Sequence, residues 1–449
     1  MLQDDEGAIY KYTLAPGVEL MVDPMPRSAG AAVGLWFPVG SAYERDNERG
    51  LSHFVEHMVF KGAGLRSAEE LSRSIDRVGG YLNAFTERET VCLHCLIPAE
   101  YAELAISVLM DMAYRPRFDE KEFEREKDVI ANEILAAEDD LEEAAQDEFF
   151  AMAYSGHPAA RRIAGRVSDI RSATFSGLTS FHDERFAKGP VVISIAGAVD
   201  PDGIAESVAS MIPAGDRRSA PPAPAYEPGP VPFVRSRRMV KAPGSQVYLF
   251  TGLPISLEST EDDFWRLSAA SSAYGESMSS RLFMRLREEQ GLCYSISSAF
   301  SLSRMAGLWG VSSSTTPRQL PRFADAYLNE ARSLHENGLS ETEVVEAVSR
   351  IRGILELASD DTEYRMKRLA RQFMFDATTE PIRVTMSRLD PGGAVTADAV
   401  DALVKGALDP AEESVLLYGR LGTRAIRTGS SIFGAVLEEP ADLVECTEA

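Results

Sequence analysis

The chain is short of the features that would staple it covalently or hold it in a bilayer. Four cysteines, Cys92, Cys95, Cys293 and Cys446, are spread over 449 residues. That is too sparse for a disulfide framework and fits a reducing compartment. No segment reaches the roughly 18 uninterrupted apolar residues of a membrane-spanning helix. The opening Met1-Leu2-Gln3-Asp4-Asp5-Glu6 has neither the basic nor the apolar region of a secretory signal, so the cytoplasm is the expected location. Positive charge is scarce too: 46 Lys plus Arg face 69 Asp plus Glu, a formal net charge of −23. Such a field excludes nucleic acid as an expected partner and favours cationic ones.

Proline, by contrast, is concentrated. Residues 213–232 read Pro-Ala-Gly-Asp-Arg-Arg-Ser-Ala-Pro-Pro-Ala-Pro-Ala-Tyr-Glu-Pro-Gly-Pro-Val-Pro, which supports neither a helix nor a central strand. This linker divides the chain into halves at 1–212 and 233–449. Each half begins with strand-like segments, Ala31–Phe37 and Gln246–Phe250, and continues into long helical stretches. Lys188–Gly197 resembles Glu412–Gly419, and Phe118-Asp119-Glu120-Lys121-Glu122-Phe123 resembles Leu339-Ser340-Glu341-Thr342-Glu343-Val344. In each of the latter pair an Asp or Ser precedes a Glu by three residues, a helix-start pattern. The expectation is a duplicated, mixed α/β chain.

The chemistry concentrates in Leu51-Ser52-His53-Phe54-Val55-Glu56-His57-Met58-Val59-Phe60. Helical spacing places His53 and His57 one turn apart on one face, where two imidazoles can share a metal. Glu56 lies beside them and can reach a water near that metal, in the order His-x-x-Glu-His. A catalytic zinc site usually takes three protein ligands. The best third candidate is Glu133, next to Ile130 and Ile134 on a helix over 119–134, because a carboxylate on the buried side of a helix needs a partner. Glu126, seven residues earlier, shares its face. Overlaying the halves with a shift of 221 sets Ala347 opposite Glu126 and Ile354 opposite Glu133, so the first half alone keeps the acids.

With these residues in place the chain resembles the pitrilysin-type inverted-zincin peptidases, in the branch similar to mitochondrial processing peptidase and its bacterial relatives. The resemblance rests on His53-Phe54-Val55-Glu56-His57, on Glu133 lying 76 residues beyond His57, and on Glu126. It extends to Gly79-Gly80-Tyr81-Leu82-Asn83-Ala84-Phe85-Thr86, similar to that family's active-site edge strand, and to Ser280–Ser295, similar to a segment that supplies an Arg and a Tyr to substrate. It implies His53, His57 and Glu133 as ligands of one Zn²⁺ per chain, Glu56 as general base and Glu126 as a supporting acid. Asn83, Ala84 and Phe85 would pair with an extended peptide, and Arg287 and Tyr294 would hold it. The implied fold is α+β, with two homologous halves, each a duplicated β-sheet plus helices unit, closing as a clamshell around a chamber. The implied activity is endopeptidase cleavage of unfolded, preferably basic, peptides by a homodimer. Cys293 departs from the family pattern, as do Cys92 and Cys95, but none falls among the catalytic positions.

Several of these residues also have plain structural readings. Glu126 sits in a helix rich in Glu and Lys and on composition alone reads as a solvated residue. Alternation along Thr90–Leu96 puts Cys92 and His94 on one strand face and Cys95 on the other, which favours packing over a second metal site. His157, His182 and His335 read as turn or surface residues. Glu138-Asp139-Asp140-Leu141-Glu142-Glu143 reads as a solvated helix face, and Arg287 also has Glu288 and Glu289 as potential ion-pair partners. The competing function is a non-catalytic scaffold or partner subunit of a processing-peptidase-like heterodimer; an amidase acting on small substrates is a third.

Overall fold

The computed structural model describes residues 8–213, 233–255 and 260–438. The proline-rich stretch therefore lies, from residue 214 on, outside the described residues, as does Cys446. Two compact units divide the chain. One comprises 1–135, 161–228 and 355–385; the other comprises 136–160, 229–354 and 386–449. Two segments thus belong with the opposite half from their place in sequence, which the proline punctuation does not foreshadow.

The first unit is built on strands β1 (Tyr10–Ala15), β2 (Val18–Pro24), β3 (Gly30–Phe37), β6 (Tyr81–Thr86), β7 (Val91–Pro98) and β8 (Val191–Gly197), with a small hairpin of β4 (Gly62–Ala63) and β5 (Arg66–Ser67). The sheet order is β1-β2-β8-β3-β7-β6; β2 and β8 run parallel and the other pairs antiparallel. Strand β6 is an edge. Both faces are covered, so β3 and β8 read as near-continuous apolar runs.

On one face lie the helices α1 (Leu51–Val59), α2 (Ala68–Asp76), α3 (Ala102–Tyr114) and α4 (Glu120–Asp139), whose apolar stripes form one core with Val33, Leu35, Leu93 and Cys95. On the other, Met366, Leu369 and Ala370 of the helix Thr362–Asp376 pack on Ala32, Trp36 and Cys92. Gly34 permits this approach: a Cβ there would stand 2.5 Å from the Met366 sulfur. Asp23, almost fully buried, closes the same contact with a paired hydrogen bond from Arg365, at 2.5 and 2.7 Å. Cys92 and Cys95 fall on opposite faces, as alternation requires.

The second unit repeats the plan with β9 (Arg237–Lys241), β10 (Val247–Pro254), β11 (Ser295–Leu302), β12 (Gly307–Thr315), β13 (Ser414–Gly419) and β14 (Val436–Glu438), in the order β11-β12-β10-β13-β9-β14. Reading from β6 and from β11, five successive strands match in position and direction, including the parallel pair β9 and β13. The sixth differs: β14 comes from the chain's end and runs parallel, whereas β1 pairs antiparallel with β2. Within this unit α5 (Leu141–Ala153) packs Phe149 and Met152 near Val240 and Leu416. The acidic run 138–143 straddles the break between α4 and α5, where Asp140 caps α5 by accepting from the amides of Glu142 and Glu143.

Candidate metal centre

Helix α1 begins where Gly50, at φ 80°, turns the chain in a left-handed conformation that a side chain would strain. Its first amides are satisfied by an unexpected group. Glu44 is 1% exposed and accepts from the backbone N–H of Gly50 and of Ser52, both at 2.8 Å. Burial pushes this carboxyl up to about 7, against the opposing pull of those amides. Phe54, Val55 and Met58 anchor the helix in the core, and Phe54 stacks on Phe123 of α4 with ring centroids 4.7 Å apart. One apolar contact therefore ties together the two helices that carry the polar cluster.

That cluster is His53, His57 and Glu133. One ligand atom from each lies within 4.8 Å of the others. Glu133 oxygens stand 3.5 Å from His53 Nε2 and 3.3 Å from His57 Nε2. Tetrahedral coordination with bonds of roughly 2.0–2.1 Å puts ligand atoms about 3.4 Å apart, and the two Glu133–histidine separations are compatible with that spacing. The donor set of two imidazoles and one carboxylate is also a zinc set. The residues fit the ion.

The surrounding groups orient these ligands. His57 Nδ1 lies 3.1 Å from Glu126 Oε2, which leaves Nε2 to face the cluster, and Lys61 Nζ meets the other Glu126 oxygen at 2.5 Å. One reading from composition is set aside here and one expectation is corrected. Glu126 is not a solvated helix acid but 2% exposed, because it joins His57 to Lys61. Glu133 is not on a buried side; its side chain is 53% exposed, facing the cluster from the helix rim. The same positions in the second unit agree with the overlay, since Ala347 is buried and Ile354 half-exposed.

Electrostatics separate the two histidines. Burial, reinforced by the neighbouring His57, lowers His53 to about 4, so it stays neutral and ready to donate a lone pair. For His57 burial acts downward but the hydrogen bonds with Glu133 and Glu126 outweigh it, and the net direction is up. Those contacts hold Glu133 below the usual carboxylate range, led by the hydrogen bond with His57. Burial raises Glu56, and Thr86 of β6 steadies it by donating a 2.5 Å hydrogen bond to Oε2. Thr86 thus joins the base to the sheet edge that carries Asn83, Ala84 and Phe85. Ala84 is buried against the α1 side, while Asn83 is exposed and takes a hydrogen bond from the Ala84 amide at 2.9 Å.

Arg287 and Tyr294 belong to the second unit, and the ligand cluster is built wholly within the first. Arg287 pairs with Glu288 at 3.3 Å and lies over the Phe283 ring, and Tyr294, immediately before β11, is 77% exposed. His182 departs from its surface reading: it is buried, its Nε2 is 2.9 Å from the Ala113 carbonyl, and it stacks on Phe186. Sequence reasoning missed Glu44, Lys61 and Thr86. Thr86 carried a signal, since it ends the edge-strand motif; Glu44 carried none.

A duplicated mixed α/β chain with a His-x-x-Glu-His helix and a distant acid completing a zinc-type donor set defines a metallopeptidase-like class. Residues 22–166 match the insulinase (peptidase family M16) model and residues 172–351 the peptidase M16 inactive domain. The chain belongs to peptidase family M16. It is similar to an uncharacterized zinc protease of Mycobacterium tuberculosis, at 32% identity over 88% of this chain and 89% of that one. The uncharacterized zinc protease YmxG of Bacillus subtilis is 30% identical over 80% of this chain and 87% of its own. In fold it matches a protease from Helicobacter pylori with a TM-score of 0.81 at 16% identity, covering 92% of this chain and 100% of the other.

Proposed function

We propose that the protein is a zinc-dependent endopeptidase that cleaves unfolded, preferably basic, peptides. The observation that carries this reading is the ligand spacing of His53, His57 and Glu133 beside a Glu56 hydrogen-bonded to an open sheet edge. Zinc bound there would supply Lewis acidity toward the scissile carbonyl and bring a water's pKa toward roughly 7.

The chain's own residues do the rest. Glu56, raised by burial yet within reach of the site, takes a proton from the attacking water and passes it to the leaving amine. The edge of β6 at Asn83, Ala84 and Phe85 receives the substrate as an added strand, the Ala84 amide exchanging its bond with the Asn83 side chain for one to the peptide, which favours extended peptide over small amides. Glu126 fixes the His57 ring and its tautomer. Arg287 and Tyr294 hold the peptide and stabilise negative charge developing on its carbonyl oxygen. The net charge of −23 favours basic substrates, and one chain carrying both the ligands and the Arg–Tyr segment suits a homodimer.

Digestion of a peptide library, with products read by mass spectrometry, tests this. Cuts at internal bonds that cease on chelation and resume with zinc are expected. Inertness toward every peptide would return the chain to the scaffold reading, and release of terminal residues alone would refute the endopeptidase assignment.

A further inference from the structure

A solvent-open cavity of about 690 Å³ lies in the first unit between α2, the β4–β5 hairpin and the end of α3. None of the residues singled out for the metal centre lines it. Its walls carry Arg66, Arg73, Arg77 and Arg115 against two acids, Glu70 and Asp111. In a chain of net charge −23 the cavity therefore has the opposite sign to the molecule, with a local net charge of +2.

The arginines are arranged by identifiable causes. Glu70, Arg73, Ser74 and Arg77 recur at helical spacing along one face of α2, while Leu71 and Ile75 hold the opposite face in the core. Across the cavity Asp111, 4% exposed, takes ion pairs from both Arg66 and Arg115, and Arg66 also donates to Ser107 Oγ at 3.3 Å. Gly64, at φ 58°, brings the hairpin against that carboxylate, since a Cβ there would stand 2.6 Å from an Asp111 oxygen. A buried acid thus fixes two guanidinium groups at the cavity wall. Each guanidinium has five N–H donors, so this anchoring leaves donors over. Arg73 meets Glu69 in a largely exposed pair, which is a weak competitor for a ligand.

We propose that this cavity binds a small molecule bearing a doubly charged oxyanion, a phosphate monoester or a dicarboxylate, through Arg73 and Arg77 on one side and Arg66 and Arg115 on the other. The planar donor forks match both kinds of oxygen, and bidentate pairing makes arginine the residue suited to them. The cavity is within the size range of sites for small ligands, roughly 300–1,000 Å³. The site stands independently of the proposed peptidase reaction.

Calorimetric titration of the full chain with inorganic phosphate and, separately, with succinate tests the proposal and distinguishes the two chemistries. The comparison is the double variant Arg73→Ala/Arg77→Ala, whose side chains are exposed and whose loss leaves the core intact. Chloride at matched ionic strength controls for screening. Saturable binding of either probe at one site per chain, weakened about tenfold or more in the variant, is expected. Absence of saturable binding for both probes overturns the proposal. So does binding that the variant leaves unchanged, because the anion then sits elsewhere, for example on the metal. An unchanged circular dichroism spectrum and urea midpoint for the variant ensure that lost binding is not lost folding.

Discussion

Replacing Glu126 by Gln tests whether the buried acid behind His57 holds the metal centre in shape. The substitution preserves volume and one acceptor oxygen but removes the charge that Lys61 meets at 2.5 Å and that faces His57 Nδ1 at 3.1 Å. Carboxylates that orient a ligating histidine typically contribute 10–100-fold in metal affinity, about 1.4–2.8 kcal/mol. The upper part of that range is expected, because Glu126 is 2% exposed and water cannot take its place. Glu126→Ala would cost more, about 3 kcal/mol of folding stability, since it leaves Lys61 without its partner. That value sits at the low end for a broken buried pair, as the Lys61 side chain keeps 27% exposure. Zinc affinity is measured by competition against a chromogenic chelator, and stability by urea unfolding of the metal-free protein. A Glu126→Gln zinc Kd within about twofold of wild type would refute the reasoning, because the hydrogen bond would then contribute nothing to ligand placement.

Two further outcomes follow from buried acids. Glu44→Ala leaves the Gly50 and Ser52 amides at the start of α1 without their acceptor, and a loss of about 2 kcal/mol in urea unfolding is expected, with weaker zinc binding; a loss under about 0.5 kcal/mol would show the cap to be dispensable. In the second unit Glu413 is buried, accepts from Tyr327 at 2.6 Å, and is pushed by burial from 4.5 up to about 7. Between those values the folded chain holds a proton that the unfolded chain has lost, so stability falls as pH rises through this window, by about 3 kcal/mol in all. Glu413→Gln removes that component, and its stability relative to wild type should rise from pH 5 to pH 8; a difference independent of pH would contradict the assignment.

How far the sequence spoke depends on whether an interaction is periodic or bespoke. Helix α1, helix α4 and strands β3 and β10 were legible because burial on one or both faces leaves a pattern in residue order, and β8 and β13 showed only as segments that resemble each other. The convergence of His53, His57 and Glu133 was legible because two histidines one turn apart invite a third donor. The side of the sheet taken by each cysteine followed from alternation alone. The exchange of 136–160 and 355–385 between units was not legible, since Met366 meeting Gly34 leaves no local mark on either segment. Neither were the depths of Glu126 and Glu133. Composition made the first a surface acid and the second a buried one, and the reverse holds because burial of Glu126 was decided by Lys61 and His57, not by its neighbours on the helix. Glu44 lies six residues before Gly50 in a loop, and only the turn at Gly50 brings it to the amides it caps.

The most direct test of the central claim pairs zinc content with peptide cleavage in wild type and Glu56→Gln. Glu56 stands outside the ligand trio but beside it, so the variant should bind about one zinc per chain, as wild type does, and lose cleavage of a quenched fluorescent basic peptide by about 10²-fold or more. Wild-type protein that binds no zinc, or a Glu56→Gln variant that cleaves as fast as wild type, would contradict the account.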